Sequence, residues 1–385
     1  NKVVISDKTK RLTYQELLDE SKRLAGVLQQ QGVTPNQAVG IHITRSADYF
    51  VAAFATLRCG AIFFPIDSEL PAGRKEYMLN QASTELVICT DPTRLKLDNW
   101  KGRIIDFKDE SKIDFIQPKY DKDAAVYVIF TSGTTGNPKG VQVNNQGLQN
   151  ILAFNQEAVF SKFPQDQKLA LVSSIHFDAS MINSFGALCY GYEVCIVPNE
   201  IRKDGKKLAN FLAKNEITIC DGLPTLIHSM VLRSPVKPEG YQVQHYYLGG
   251  EKFLSRFAEQ LFEWHGDQKP TITNAYGPTE CTVNTTWYNF DATNFQRYND
   301  IPIGRPVFNS QVYILGDEGL PVPPGITGEI CIGGMSLADG YIGNVSTKES
   351  PFQYNEFLCE RIYRTGDLGA WNENGYLWCF GRNDY

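Results

Sequence analysis

Residues Thr131–Gly140 read TSGTTGNPKG, and seven of these ten positions are Gly, Ser or Thr. Glycines permit a tight backbone path that turns several N–H groups toward one anion. The hydroxyls of Thr131, Ser132, Thr134 and Thr135 add donors, and Lys139 adds a positive charge. Residues of these types, this close together, can cradle a polyphosphate. The stretch is not a Walker A loop, which needs Gly directly before Lys-Ser/Thr. Here Asn137-Pro138 separates Gly136 from Lys139, and this disfavours a P-loop kinase. A flexible surface turn is the plain alternative. The apolar run AVYVIF (Ala125–Phe130) directly before the loop, and its Pro-Lys-Gly closure, weigh against that.

The elements that must position this loop alternate along the chain. Thr13 and Glu16 form a capping box ahead of a helical face of Leu17, Leu24, Val27 and Leu28, which Gly32 ends. Strands are expected at Ala38–Ile43, Ala61–Ile66 and Ala125–Phe130, with helices at Ser46–Leu57 and Pro71–Gln81 between them. The continuous apolar character of Ala125–Phe130 suits a strand buried on both faces of a parallel sheet. Further strand–helix pairs follow, including HYYLG (residues 245–249) before Phe253–Trp264. From about Ile301 Gly and Pro cluster and the strands shorten. Asn374-Gly375 sits where a tight hairpin is expected, ahead of a strand Gly375–Phe380. The pattern predicts an α/β region followed by a smaller β region.

Composition sets the outer limits. The 385 residues carry a net charge of −6, with 42% hydrophobic and 21% charged residues. This is a globular composition of two or three packing units, and disorder is excluded. The net negative charge argues against nucleic-acid binding. No run reaches the ~18 apolar residues of a membrane helix, and NKVVISDKTK lacks the apolar core of a signal peptide. Nine cysteines with no CxxC pair, most of them in apolar runs, predict reduced thiols in a cytoplasmic enzyme. The five histidines show no HxH or HxxxH spacing, which argues against zinc.

The loop TSGTTGNPKG resembles the phosphate loop of adenylate-forming enzymes. LTYQEL (Leu12–Leu17), LRCGAIFFPID (Leu57–Asp67), FDAS (Phe177–Ser180), NAYGPTE (Asn274–Glu280), GEICIGG (Gly328–Gly334), YRTGDL (Tyr363–Leu368) and GRND (Gly381–Asp384) follow in order. Together they resemble the core motifs of amino-acid-activating adenylation domains of nonribosomal peptide synthetases, from Leu12 to the end of the chain. The implied fold is α/β: two flavodoxin-like α/β subdomains plus a distorted β-barrel. The subdomains would occupy residues 1–300 and hold the ATP and amino acid sites. The barrel would occupy 301–383, and 384–385 would form a hinge to a C-terminal domain that carries a catalytic lysine. With that domain missing, the expectation is retained binding of ATP and amino acid with strongly reduced turnover.

The implied reaction is attack of an amino acid carboxylate on the α-phosphate of Mg-ATP, giving an aminoacyl-adenylate and pyrophosphate. The acyl group then passes to the phosphopantetheine thiol of a carrier domain. The resemblance assigns Asp367 to the ribose hydroxyls, Tyr276 to packing on adenine and Asn274 to its exocyclic amine. Glu280 takes Mg²⁺, and Gly250, Glu251, Gly277, Thr279 and Arg382 belong to the nucleotide site. Asp178 is the partner of the substrate's α-ammonium, a role that suits a buried carboxylate. An N-cap role at the helix expected near Ser180 is compatible with it.

Offsets from the motifs place the side-chain pocket at Ala179, Ile182, Tyr247, Gly249, Ala275, Val283 and Asn284, with Asp221 three residues before Pro224. Gly249 and Ala275 leave room, while Asp221, Tyr247 and Asn284 are polar. A medium-to-large polar side chain is therefore expected over an aliphatic one. One departure stands out: ADGY (Ala338–Tyr341) has Asp339 where the family has Arg. An aryl- or acyl-CoA ligase of the same fold, and a non-catalytic module docking neighbouring synthetase domains, are the alternatives. Asp178 speaks against the first, and the set of nucleotide-site residues against the second.

Overall fold

The computed structural model describes residues 2–92, 95, 97–111, 113–131, 137–295, 300–343 and 350–383. Ser132, Thr134 and Thr135 of the glycine-rich loop and Asp384 of the expected hinge lie outside the described residues. The chain divides into two compact units. One comprises Asn1–Gln149, Ile175–Asp178 and Ala338–Ser350; the other comprises Asn150–Ser174, Ala179–Leu337 and Pro351–Tyr385.

The first unit opens with a hairpin, β1 (Val3–Ser6) and β2 (Arg11–Thr13), that leads into α1 (Tyr14–Gln30). Both halves of the expected capping box form: Thr13 Oγ1 accepts from the Glu16 N–H, and the Glu16 carboxylate accepts from the Thr13 N–H at 2.7 Å. Then come β3 (Ala38–His42), α2 (Ala47–Arg58), β4 (Ile62–Pro65), α3 (Ala72–Gln81), β5 (Leu86–Cys89), β6 (Arg103–Asp106), β7 (Ala125–Thr131) and β8 (Lys139–Asn144), which runs into α4 (Asn145–Ala158). The sheet order is β8-β7-β4-β3-β5-β6, parallel except for β7–β8. As its apolar run predicts, β7 is buried, with Tyr127 fully so.

A late strand, Gly340–Tyr341, adds antiparallel to β8 at the sheet edge. Here the Asp339 departure finds its physical reason. Its carboxylate accepts from Gln142 Nε2 at 3.0 Å and Asn144 Nδ2 at 2.8 Å, both on β8. An acid at this position thus fastens the added strand to the sheet.

The second unit continues with β9 (Lys168–Leu171), α5 (Ala179–Cys189), β10 (Glu193–Ile196), α6 (Asn199–Arg202), α7 (Gly205–Lys214), β11 (Ile219–Gly222), α8 (Pro224–Arg233), β12 (His245–Gly249), α9 (Ser255–His265), β13 (Thr271–Tyr276), β14 (Thr286–Phe290) and β15 (Arg305–Pro306). Strands β10-β9-β11-β12-β13 run parallel, and β14 and β15 extend the sheet antiparallel. Leu208, Leu212, Ile227, Met230 and Tyr246 pack in the core between these strands and helices.

Counting Gly340–Tyr341 as β18, the remaining strands are β16 (Ser310–Leu315), β17 (Gly328–Gly334), β19 (Phe352–Asn355), β20 (Glu360–Trp371) and β21 (Leu377–Arg382). They form an antiparallel sheet in which β17, β19 and β21 all pair with β20. The turn at Asn374-Gly375 is longer than the two-residue hairpin expected. Trp371 pairs with Leu377, and the Asn372 side chain accepts from the Asn374 and Tyr376 N–H groups at 3.1 and 2.8 Å. That side-chain cap organises a five-residue loop, and the strand starts at Leu377 rather than Gly375.

All nine cysteines are free, and six are buried. Among the described residues no three His, Cys, Asp or Glu side chains are placed to hold a metal, and no helix is long and apolar enough to cross a membrane.

Three imidazoles are buried beside lysines. Burial, then Lys75, holds His42 at about 4. Burial, then Lys162, holds His245 at about 3. Burial, then Lys237, holds His265 at about 4. Each ring is neutral in the fold but takes a proton in the unfolded chain below ~6.5. The unfolded state therefore binds the extra protons, and stability falls as pH drops from 6.5 toward 4. Near pH 5 the expected slope approaches about 4 kcal/mol per pH unit, three groups at ~1.36 kcal/mol each. Urea unfolding at pH 7, 6 and 5 measures it; a flat profile contradicts the burial of these rings.

Candidate active site

In the second unit, a cavity of about 400 Å³ opens where β12 and β13 reach their carboxyl ends. This is where open parallel sheets place ligands, and the volume suits a small molecule. Gly250, Glu251, Asn274 and Ala275 line one part, and Tyr276, Gly277, Asp367 and Arg382 another. Eight residues named from the sequence are thus brought together. Thr279 and Glu280 follow on a 3-10 turn, Thr279–Cys281, and do not line the cavity.

The RTGD segment is shaped by its own hydroxyl and glycine. Thr365 Oγ1 donates to the Ile330 carbonyl at 2.7 Å and accepts from the Asp367 N–H at 3.0 Å. Gly366 has φ +71°, and a Cβ there would meet the Arg382 guanidinium at 3.0 Å. Glu329 accepts from the Gly366 N–H at 3.0 Å. Arg382, paired in register with Asp367, donates to the Thr365 carbonyl at 2.7 Å. The result is a fixed backbone at Asp367. Tyr276 Oη donates to Asp367 Oδ2 at 2.6 Å. Burial, then the Asp367 charge, pushes the Tyr276 phenol well above its ordinary value, so it remains a donor. Thr365 and Glu329 carry no role in the sequence reading, although a Thr-Gly pair before an acid is the signal that points to them.

Asn274 Nδ2 donates to the Ile301 and Pro302 carbonyls at 3.4 and 2.9 Å. With the amide nitrogen committed, Oδ1 is the atom left to accept from a ligand amine. Glu251 accepts from the Thr225 N–H at 2.6 Å and so caps α8 while it lines the cavity. Gly249 pairs with Ala275, and a Cβ on it would stand 2.5 Å from the Ala275 carbonyl oxygen.

Glu280 is 7% exposed. The turn that carries it is strained: Thr282 and Val283, both β-branched, have φ of +50° and +70°. Residues of this kind rarely enter that region, and each costs on the order of 1–3 kcal/mol. The turn is held by Thr282 Oγ1 on the Ser336 carbonyl at 2.7 Å and by the Thr285 N–H on the Tyr276 carbonyl at 2.8 Å. Gly277 leaves space for it, since a Cβ there would lie 2.6 Å from the Val283 carbonyl oxygen.

Of the remaining pocket positions, Ala179 and Ile182 lie in the first turn of α5, and Ile182 is fully buried. Asn284 Nδ2 donates to Tyr247 Oη at 2.9 Å, and Tyr247 Oη donates to Asn155 Oδ1 at 3.0 Å. Asn155 is absent from the sequence reading. Its Nδ2 is buried and has no hydrogen-bond partner among the described residues. Asp221 is fully buried, and its carboxylate accepts from the Val172 N–H, from the Ser173 N–H at 3.1 Å and from Asn183 Nδ2 at 3.2 Å.

In the first unit, Thr131 and Lys139 are paired across β7 and β8, where the glycine-rich loop leaves and re-enters the sheet. The Lys139 ammonium lies 5.3 Å from the centre of the Tyr341 ring. Asp178 is 8% exposed and directly precedes α5. Its charge, after burial, helps to push the Tyr127 phenol up.

The AMP-binding enzyme family is matched over residues 1–342. The chain is 31% identical over 387 residues to bacitracin synthase 1 of Bacillus licheniformis, covering 100% of this chain and 7% of that protein. It is 34% identical over 387 residues to a dimodular nonribosomal peptide synthase of Bacillus subtilis (strain 168), covering 97% of this chain and 16% of the relative. It thus spans a small part of these curated relatives. A crystal structure of the nonribosomal peptide synthetase FmoA3 superposes with a TM-score of 0.90 at 24% identity, over 100% of this chain and 41% of that one. The form bound to alpha-methyl-L-serine-AMP gives 0.88 at 25% identity, over 100% and 43%. The mixed α/β fold is that of these synthetase structures, and the chain belongs to the AMP-binding enzyme family.

Proposed function

We propose that this chain activates an α-amino acid with ATP as the adenylation unit of a nonribosomal peptide synthetase. The amino acid carboxylate attacks the α-phosphate, the bond to the β-phosphate oxygen breaks, and aminoacyl-adenylate and pyrophosphate are formed. The observation that carries the reading is the cavity walled by Tyr276 and Asp367 in a chain of the AMP-binding family. Asp367 accepts the ribose hydroxyls, the Tyr276 ring supports adenine, and Asn274 Oδ1 takes its amine. Thr131, Ser132, Thr134, Thr135 and Lys139 bind phosphate oxygens.

Glu280 holds Mg²⁺, which neutralises phosphate charge when bound. A single carboxylate suits an ion that takes its other ligands from phosphates and water. Asp178 pairs with the α-ammonium. The Tyr247–Asn284–Asn155 chain supports a polar substrate side chain. The product passes to a phosphopantetheine thiol on a carrier domain, in a cytoplasmic setting.

Amino-acid-dependent exchange of labelled pyrophosphate into ATP, run across the twenty amino acids, tests this. A polar amino acid is expected to give the maximum. Asp178→Ala is expected to lower it at least ~100-fold, the scale of ~3–5 kcal/mol lost when one partner of a buried ion pair is removed. A Val or Leu maximum contradicts the polar preference. Equal activity of Asp178→Ala with acids that lack an amino group points instead to an acyl- or aryl-CoA ligase.

A further inference from the structure

At the other ends of β12 and β13 lies a second, larger cavity of about 640 Å³, also within the second unit. His245 and Thr271, the first residues of the two strands, line it. At a rise of ~3.3 Å per residue, a strand of this length separates it by roughly 13 Å from the cavity at the carboxyl ends. None of the residues placed in adenylation lines it.

Its wall is cationic in a chain that is acidic overall. Lys162, Lys237 and Lys269 face it, and no Asp or Glu is among the residues that line it. Among the described residues none of the three lysines forms an ion pair. Two of them are fixed. The Lys162 ammonium lies 5.5 Å from the centre of the Trp287 ring. Lys237 Nζ donates to the His265 carbonyl at 2.6 Å, at the carboxyl end of α9, where a cation is favoured. Gln242, Gln244 and Gln268, whose side chains carry neutral amide donors, also line the cavity. Neither imidazole adds charge. His245 Nδ1 lies 2.7 Å from Thr271 Oγ1, and His265 Nε2 lies 2.9 Å from Tyr246 Oη. Burial and the neighbouring lysines keep both rings neutral.

Three lysines thus share one wall, and among the described residues no Asp or Glu lines the cavity to offset them. A monocarboxylate answers one of them. Tetrahedral phosphate oxygens can engage ammonium and amide donors from several directions at once. The volume also leaves room for an organic part against Phe163, Tyr241 and Val243. We propose that this cavity is a binding site for a small phosphate anion carrying at least two negative charges, separate from the nucleotide cavity.

The chain has five histidines, so ring resonances of histidine-labelled protein report on the site directly. Titration with inorganic tripolyphosphate is expected to move the His245 and His265 signals along a saturable one-site curve. Lys162→Gln combined with Lys269→Gln is expected to raise the dissociation constant at least tenfold at unchanged melting temperature. Asp367→Ala is expected to leave these shifts intact, so loss of the nucleotide reading and loss of this one are distinguishable. Absence of a saturable shift with millimolar probe, or unchanged affinity in the double variant, overturns the proposal.

Discussion

Asp367→Ala is expected to weaken ATP binding at least ~100-fold while Tyr276→Phe weakens it less than ~10-fold. The difference follows from what each side chain offers. The backbone that carries Asp367 is held in place by Thr365, Gly366 and Glu329 rather than by the ligand. Among the described residues, Tyr276 is the one side chain that donates to the carboxylate, which leaves acceptor capacity for a diol. Hydrogen bonds to a charged group contribute ~1.5–3 kcal/mol each, so two of them reach ~3 kcal/mol or more. Tyr276→Phe keeps the ring and the carboxylate and removes one donor.

Calorimetry with ATP and with 2′-deoxy-ATP checks both the size and the cause. The unsubstituted chain is expected to disfavour the deoxy compound by about tenfold, whereas Asp367→Ala binds the two equally, as a double-mutant cycle requires of a lost contact. Asp367→Ala that binds ATP within threefold of the parent, or that still discriminates the missing hydroxyl, contradicts the assignment. Circular dichroism separates this loss from unfolding, because the variant leaves the buried Tyr276 phenol without its acceptor.

What the sequence made legible was local. The capping box at Thr13 and Glu16 depends on two side chains three residues apart, and it forms as read. The apolar run Ala125–Phe130 needs only its own composition to be placed in a buried strand. What stayed hidden was tertiary. Asp339 is an unexplained acid until β8 supplies Gln142 and Asn144 nearly two hundred positions away in the chain. The positive φ of Thr282 and Val283 runs against the preference of both residue types and is set by Ser336 and the space at Gly277. Asn155 enters the polar chain with Tyr247 and Asn284 through a fold contact that no motif offset specifies. The Asn374-Gly375 hairpin was misplaced because the Asn372 side chain wins the competition to cap the loop.

Asp221→Ala is expected to destabilise the second unit by ~3–5 kcal/mol, the cost of leaving buried donors without their charged acceptor. By its offset before Pro224 this acid reads as a polar wall of the substrate pocket. In the structure its carboxylate takes the N–H groups of Val172 and Ser173, just past the end of β9, and the Asn183 amide on α5. Burial lowers the Arg202 guanidinium on α6 from its ordinary value, and the Asp221 charge opposes that shift. Asp221 therefore ties β11 to two neighbouring elements. Asp221→Asn does not rescue it, because one of the two oxygens becomes an NH₂ that faces donors. Urea unfolding at pH 7 gives the stability change, and pyrophosphate exchange gives the specificity. A structural acid lowers the unfolding midpoint and leaves the ranking of amino acids unchanged. A pocket acid re-orders the ranking at nearly constant stability, and that outcome returns Asp221 to the substrate.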